Sequence, residues 1–223
     1  MDPGAGWLLV HEDALPQDDS WLTPAERLHL ATLRFPPRRA SWRLGRWAAK
    51  RAVSAFLGSP ALESLEIRAA PDGAPEAFVG GKPAPVVLSL THRGALAACA
   101  VAPPGVALGC DLERVEPRSE AFVRDYFTDA ERTWTASAPD PSLGANLIWS
   151  AKESALKALR EGLRMDTRAV EVRLPSGDPV EGWLPLEVRY PAAGRSFRGW
   201  WRREGDCVLT LAADPPPGLP FRF

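Results

Sequence analysis

Apolar and polar positions alternate along much of this chain, and capping signals mark the helices between the alternating stretches. Trp7-Leu8-Leu9-Val10-His11 reads as a first strand. Thr23-Pro24-Ala25-Glu26 predicts a helix start, in which Thr23 caps, Pro24 suits the first turn and Glu26 completes a capping box. A second helix is predicted from about Ala40 to Leu57, ended by Gly58. Strands are predicted at 64–69, 85–91 and 95–102, the last two flanking a turn at His92-Arg93-Gly94. Pro103-Pro104-Gly105 breaks the chain. A strand at 106–113 follows, then a second capping box at Thr128-Asp129-Ala130-Glu131. A long helix is predicted over roughly 143–161, ended by Gly162, with strands at 169–174, 184–190, 196–203 and 206–212.

This outline repeats. Thr-x-Ala-Glu occurs at 23–26 and at 128–131, an offset of 105 residues. Trp47-Ala48-Ala49-Lys50 is echoed by Trp149-Ser150-Ala151-Lys152, an offset of 102. Each half then ends in a β-rich stretch, Ala95–Ala102 and Cys207–Ala213. Matching order and offset predict an internal duplication. The expected fold class is α+β, a tandem pseudo-dimer of two similar α/β-type subdomains at 1–104 and 105–223, with ligands expected in a cleft between them.

Composition narrows the function classes. The 223 residues suit one large domain or two of about 110. Hydrophobic residues at 45% and charged residues at 25% are an ordinary globular mixture. A net charge of −1 disfavours a generalised nucleic-acid binder. Cys99, Cys110 and Cys207 are odd in number and far apart, which disfavours a disulfide framework or a structural zinc site. Met1-Asp2-Pro3-Gly4 places acid where a signal peptide needs base, and no apolar run approaches the roughly 18 residues of a membrane span. The expectation is a soluble, cytoplasmic monomer with no membrane or nucleic-acid partner. The 23 prolines are scattered and read as turn punctuation.

Two short stretches carry candidate chemistry. In the strand Gly109-Cys110-Asp111-Leu112-Glu113, alternation puts Asp111 and Glu113 on one face. In the helix Trp149-Ser150-Ala151-Lys152-Glu153-Ser154-Ala155-Leu156-Lys157, Glu153 and Lys157 are at i and i+4 and share a face. Taken singly, these are a solvated strand end and a surface helix pair. Taken together, three carboxylates without a histidine or cysteine cluster form a hard, all-oxygen set suited to Mg²⁺. A lysine one turn from such a ligand is placed to meet a phosphate oxygen.

Gly109-x-Asp111-x-Glu113 followed by Trp149-Ser150-x-Lys152-Glu153-x-x-x-Lys157 resembles the Sfp-type 4′-phosphopantetheinyl transferase family. Glu153 lies 42 residues beyond Asp111, which matches the family spacing. The resemblance covers roughly residues 20 to 165. It implies a tandem α/β pseudo-dimer that moves the phosphopantetheine arm of coenzyme A to a serine of an acyl or peptidyl carrier protein, releasing 3′,5′-ADP. Asp111, Glu113 and Glu153 would then hold Mg²⁺ across the pyrophosphate, and Lys157 would stabilise the charge that builds there. The family's Ser-His pair appears as Thr91-His92, expected to contact the coenzyme A phosphates. Glu131 matches the family's proposed base, but it is also the third helical residue of a capping box. Lys152 either supports the metal carboxylates or faces solvent.

The 3′-phosphate needs cations, and Arg34–Arg51 is rich in them. Arg39, Arg43, Arg46 and Lys50 form one helical stripe. Arg39 and Arg46 are the chosen contacts, and Arg27 is a further candidate. The family's Gly-Lys-Pro has two counterparts, Gly73-Ala74-Pro75 and Gly81-Lys82-Pro83; the first sits at the better distance, so Gly73 and Pro75 are chosen and the usual lysine contact is lost. A different Mg²⁺-dependent phosphotransferase lacks support, since neither a Walker loop nor a dinucleotide glycine motif is present. A catalytically degenerate carrier-binding relative would have lost metal ligands, yet all three carboxylates and Lys157 remain. The arginine stripe and nine tryptophans would suit a nucleic-acid module, against which the balanced charge counts. The carrier itself, whether of fatty acid, polyketide or nonribosomal peptide synthesis, is left open.

Overall fold

A computed structural model describes residues 4–58 and 60–223. The chain divides into two compact units, one running to Gly105 and including Pro220–Phe223, the other formed by Val106–Leu219. In chain order the elements are β1 (Gly6–His11), α1 (Pro24–Thr32), α2 (Pro36–Phe56), β2 (Leu65–Ala69), β3 (Pro75–Val79), β4 (Lys82–Pro83), β5 (Val87–Arg93) and β6 (Leu96–Ala102). They continue with β7 (Ala107–Arg114), α3 (Glu120–Tyr126), α4 (Asp129–Ser137), α5 (Pro141–Ala158), β8 (Glu171–Arg173), β9 (Leu184–Tyr190), β10 (Arg195–Glu204), β11 (Cys207–Asp214) and β12 (Phe221–Arg222). The fold is mixed α+β. Among the described residues, no helix is long and apolar enough to cross a membrane.

In the N-terminal unit a sheet of order β12-β1-β6-β5 is covered by α2. Its apolar face uses Leu44, Ala48, Ala49, Ala52 and Val53 of α2 against Leu8, Val10, Ala97, Cys99 and Val101 of the strands. Small residues on α2 let the helix lie close to the sheet, and burial of this surface is the main stabilising term. A separate three-stranded sheet, β2-β3-β4, completes the unit.

The C-terminal unit has a sheet of order β7-β11-β10-β9-β8, covered by α5. In each unit the first strand pairs antiparallel with the last long one, β1 with β6 and β7 with β11, and that strand pairs with its hairpin partner, β5 or β10. The repetition read in the sequence is thus present in the topology. Gly109 shows why the helix sits so close: a Cβ there would lie 1.8 Å from the Ser154 carbonyl oxygen of α5. Ser150 and Ser154 of α5 both share hydrogen bonds with the Thr210 hydroxyl of β11, at 2.9 and 2.7 Å, so the helix is fixed by polar as well as apolar contacts.

The structure revises several sequence-based boundaries. The second helix starts at Pro36, not Ala40, because Pro36 and Pro37 suit a first turn that needs no N–H donors. The long helix ends at Ala158, and Gly162 belongs to the short 3-10 turn that follows. His92 and Arg93 are the last residues of β5 and not a turn, which is confined to Gly94-Ala95, where Gly94 takes φ +56°. The β3–β4 hairpin, α3 and β12 had no counterpart in the sequence reading. Gly80 and Gly81, both at positive φ, make the hairpin turn.

Candidate active site

The strand β7 and the helix α5 bring Asp111 and Lys157 together. Lys157 Nζ donates to Asp111 Oδ1 at 2.8 Å and to the Cys110 carbonyl at 3.0 Å. Burial disfavours the ammonium, but the charge and hydrogen bond of Asp111, together with Cys110 and Glu153, outweigh it and hold Lys157 above its ordinary pKa. Glu153 lies one turn earlier on the same helix face. Its carboxyl is pushed up to about 7, first by burial and next by the charge of Asp111, with Lys157 opposing and Glu113 adding a smaller push. A carboxylate raised by a neighbouring carboxylate is a site with excess negative charge.

Glu113 is held differently. Arg118 donates to Glu113 Oε2 at 2.9 Å and, through Nε, to Asn146 Oδ1 at 2.7 Å. The Trp149 indole N–H donates to Glu113 Oε1 at 3.2 Å. Among the described residues, no three Asp, Glu, His or Cys side chains converge closely enough to hold a metal ion. Glu113 thus carries an arginine and an indole on its oxygens, and its charge and that of Asp111 both reach Glu153. Sequence reasoning missed Arg118, since alternation along the strand gives the face of Glu113 but not its partner.

Glu131 is also reassigned. Thr128 N–H donates to Glu131 Oε2 at 2.8 Å, closing the capping box, and Val172 N–H donates to Oε1 at 2.8 Å. Lys152 Nζ sits 2.8 Å from Oε2. Glu131 is only 3% exposed, and Lys152 is fully buried beside it, also donating to the Thr167 and Val170 carbonyls. A carboxylate with both oxygens committed in a buried pocket is a scaffold group and not an available base. Lys152 neither supports the metal carboxylates nor faces solvent.

The N-terminal unit repeats this device. Glu26 accepts from Thr23 N–H at 3.0 Å and Ile67 N–H at 3.1 Å, pairs with buried Lys50, and Lys50 also donates to the Trp21 carbonyl. The basic stripe is largely spent on the fold. Arg39 donates to the Leu30 carbonyl at 2.8 Å, and Arg43 to Asp19 and the Pro16 carbonyl, also at 2.8 Å. Arg46 stacks on Trp42 with Glu26 at 4.0 Å, and burial lowers its pKa. Arg27 donates to the Leu22 carbonyl. These contacts correct Arg39 and Arg46 as free phosphate ligands. Exposed Arg34 and Arg38, by contrast, hold no ion pair among the described residues. Thr91 points into the unit and is buried, whereas His92 is exposed. Gly73, at φ +90°, turns the chain between β2 and β3, and Pro75 opens β3.

Residues 107–191, which contain the Asp111–Glu153–Lys157 cluster, match the family model of the 4′-phosphopantetheinyl transferase superfamily. This segment is similar to that superfamily. Over 78 residues the chain is 35% identical to the holo-[acyl-carrier-protein] synthase of Caulobacter vibrioides, in two strains, covering 32% of this chain and 59% of the relative. The chain thus spans less than two thirds of the length of these curated relatives. Among solved structures, the holo-[acyl-carrier-protein] synthase of Neisseria meningitidis is 21% identical with a TM-score of 0.38, over 46% of this chain and 98% of that one. That of Plasmodium yoelii is 16% identical with a TM-score of 0.38, over 46% and 94%.

Proposed function

We propose that this chain is a 4′-phosphopantetheinyl transferase, moving the phosphopantetheine arm of coenzyme A to a serine hydroxyl of an acyl or peptidyl carrier protein and releasing 3′,5′-ADP. The observation that supports it best is the Asp111–Glu153–Lys157 cluster on β7 and α5 within the superfamily segment.

The cluster fits a hard divalent cation. Buried Asp111 raises the proton affinity of Glu153, and a cation placed between carboxylates relieves that repulsion. Mg²⁺ would be held by Asp111 and Glu153, and when bound it supplies charge neutralisation at a pyrophosphate. Lys157 keeps its proton at neutral pH, so it offers a fixed positive charge to a phosphate oxygen. The Cys110 carbonyl and Asp111 hold its ammonium in place, which limits the reorganisation needed as charge builds. Glu131 has no part in accepting the serine proton, because its oxygens are committed to Thr128, Val172 and Lys152. In the N-terminal unit, this reading assigns the exposed side chains of His92, Arg34 and Arg38 to the phosphates of coenzyme A. A carrier-binding relative without activity has less support, since such a chain has no need of a part-buried lysine–aspartate pair beside a perturbed carboxylate.

Lys157→Met should lower transfer of phosphopantetheine to an apo carrier by about a hundredfold or more while the chain stays folded. Transfer at the wild-type rate would sink this reading.

A further inference from the structure

Each unit carries an aromatic pair at the same place in its sequence. Trp21 and Trp47 meet edge to face in the N-terminal unit, with ring centroids 5.1 Å apart and planes at 67°. Tyr126 and Trp149 meet in the C-terminal unit at 5.1 Å and 67°. The two pairs stand at the offsets of 105 and 102 residues that relate the halves. What packs on the rings differs. In the C-terminal unit Phe122 lies 4.9 Å from Tyr126 and 5.0 Å from Trp149, and Arg118 covers it. Phe122 stands six residues before the capping Thr128, and the residue six before the capping Thr23 is Gln17. A polar side chain thus holds the sequence position of that phenyl ring, and a cleft of about 470 Å³ lies against Trp21 and Trp47.

Pro16, Leu62, Asp18 and Glu63 also line this cleft, and among the described residues no cationic side chain does. One wall is preset by hydrogen bonds. Arg43 donates to the Pro16 carbonyl at 2.8 Å and to the Gln17 and Asp18 carbonyls at 3.3 Å, and the Trp21 indole N–H donates to the Asp18 carbonyl at 3.0 Å. The Ser20 hydroxyl and N–H donate to Asp18 Oδ1 and hold that carboxyl below its ordinary pKa. Both indoles already draw cations: Lys50 lies 5.5 Å from the Trp21 ring and Arg51 5.6 Å from that of Trp47. The Lys50 charge is cancelled by Glu26.

We infer that this cleft binds a small aromatic amine, whose ring packs on Trp21 and Trp47 as Phe122 packs on their counterparts, and whose ammonium lies toward Asp18 and Glu63. The ring gains apolar burial and edge-to-face contact from the indoles. The two exposed carboxylates select a ligand with a positive end over its neutral analogue. The inference stands apart from the proposed transfer reaction, since none of its residues belongs to the Asp111–Glu153–Lys157 cluster.

Calorimetric titration of the full chain with 2-phenylethylamine at neutral pH and low salt tests this. Saturable binding with a Kd below about 1 mM is expected. 2-Phenylethanol keeps the ring without the charge, and ethylamine keeps the charge without the ring; each should bind at least about tenfold more weakly. Gln17→Phe supplies from the chain itself the ring that the ligand would bring, and should weaken binding more than about tenfold while the chain stays folded. Glu63→Gln should weaken it about threefold or more and flatten its dependence on salt. Trp47→Leu should abolish it, and if that variant does not fold, Gln17→Phe and Glu63→Gln decide. Absence of saturable binding by wild type, equal binding of 2-phenylethanol, or unchanged affinity in Gln17→Phe, Glu63→Gln or folded Trp47→Leu would overturn the inference and leave the transferase reading as it stands.

Discussion

Glu153 carries the sharpest signature at the scale of single residues. Its carboxyl is pushed from the usual 4.5 to about 7 in the folded chain, first by burial and then by Asp111. The folded state therefore binds this proton more tightly than the unfolded state. Between about pH 4.5 and 7 the native chain holds the extra proton, so this group's contribution to stability falls as pH rises through that window and levels off above it. The limit is on the order of 3 kcal/mol. In metal-free protein, Glu153→Gln should thus raise stability at pH 8 and change it little at pH 4, measured by urea unfolding at both values. A variant equally destabilised at both would show that Glu153 is not held against its own charge. Asp111, Glu153 and Lys157 were legible in the sequence because strand and helix periodicities fix which side chains share a face. The pairing of Glu113 with Arg118 was not, because Arg118 comes from the irregular stretch between β7 and α3, where no period applies.

The capping box is the informative unit among the elements. Thr23-x-x-Glu26 and Thr128-x-x-Glu131 each start a helix, and each glutamate also receives a buried lysine from the long helix and an N–H from a later strand. One side chain thus joins three elements. The sequence gives the box and the repeated lysine separately; that they form one ion pair needs the fold, since Glu131 and Lys152 are brought together only when α4 packs on α5. Glu131→Gln leaves Lys152 buried without its counter-charge and should cost about 3–5 kcal/mol in a denaturant titration. The rate of transfer per folded molecule should stay close to wild type. A rate loss of a hundredfold with stability intact would restore Glu131 as a base. The stripe on α2 teaches a related lesson. Helical spacing correctly aligned Arg39, Arg43, Arg46 and Lys50, but it could not tell a solvated face from one that clamps residues 16–30. The short helix α3 escaped notice because seven residues carry too little periodicity, although Ser119 caps it by accepting from Phe122 N–H.

The two units share a topology but not a chemistry. At the offset of 102 that relates Lys50 to Lys152, Arg51 stands where Glu153 stands, and Ala55 where Lys157 stands. The buried lysine–glutamate pair occurs in both units, while the Asp-x-Glu and Glu-x-x-x-Lys residues stand in the C-terminal copy alone. The topology of the duplication was visible in spaced motifs, but the return of Phe221–Arg222 to pair with β1 of the first unit had no signal in the sequence. Phe223 fills the space over Gly6 and packs against Phe56, so the last residues complete the N-terminal core. The measurement that bears hardest on the proposed activity is intact-protein mass spectrometry of a panel of apo carrier proteins incubated with this chain, coenzyme A and Mg²⁺. A gain of one phosphopantetheine on the carrier serine, abolished by chelation of the metal, is the predicted result. Unchanged masses across the panel, with the chain folded and the metal present, would contradict it.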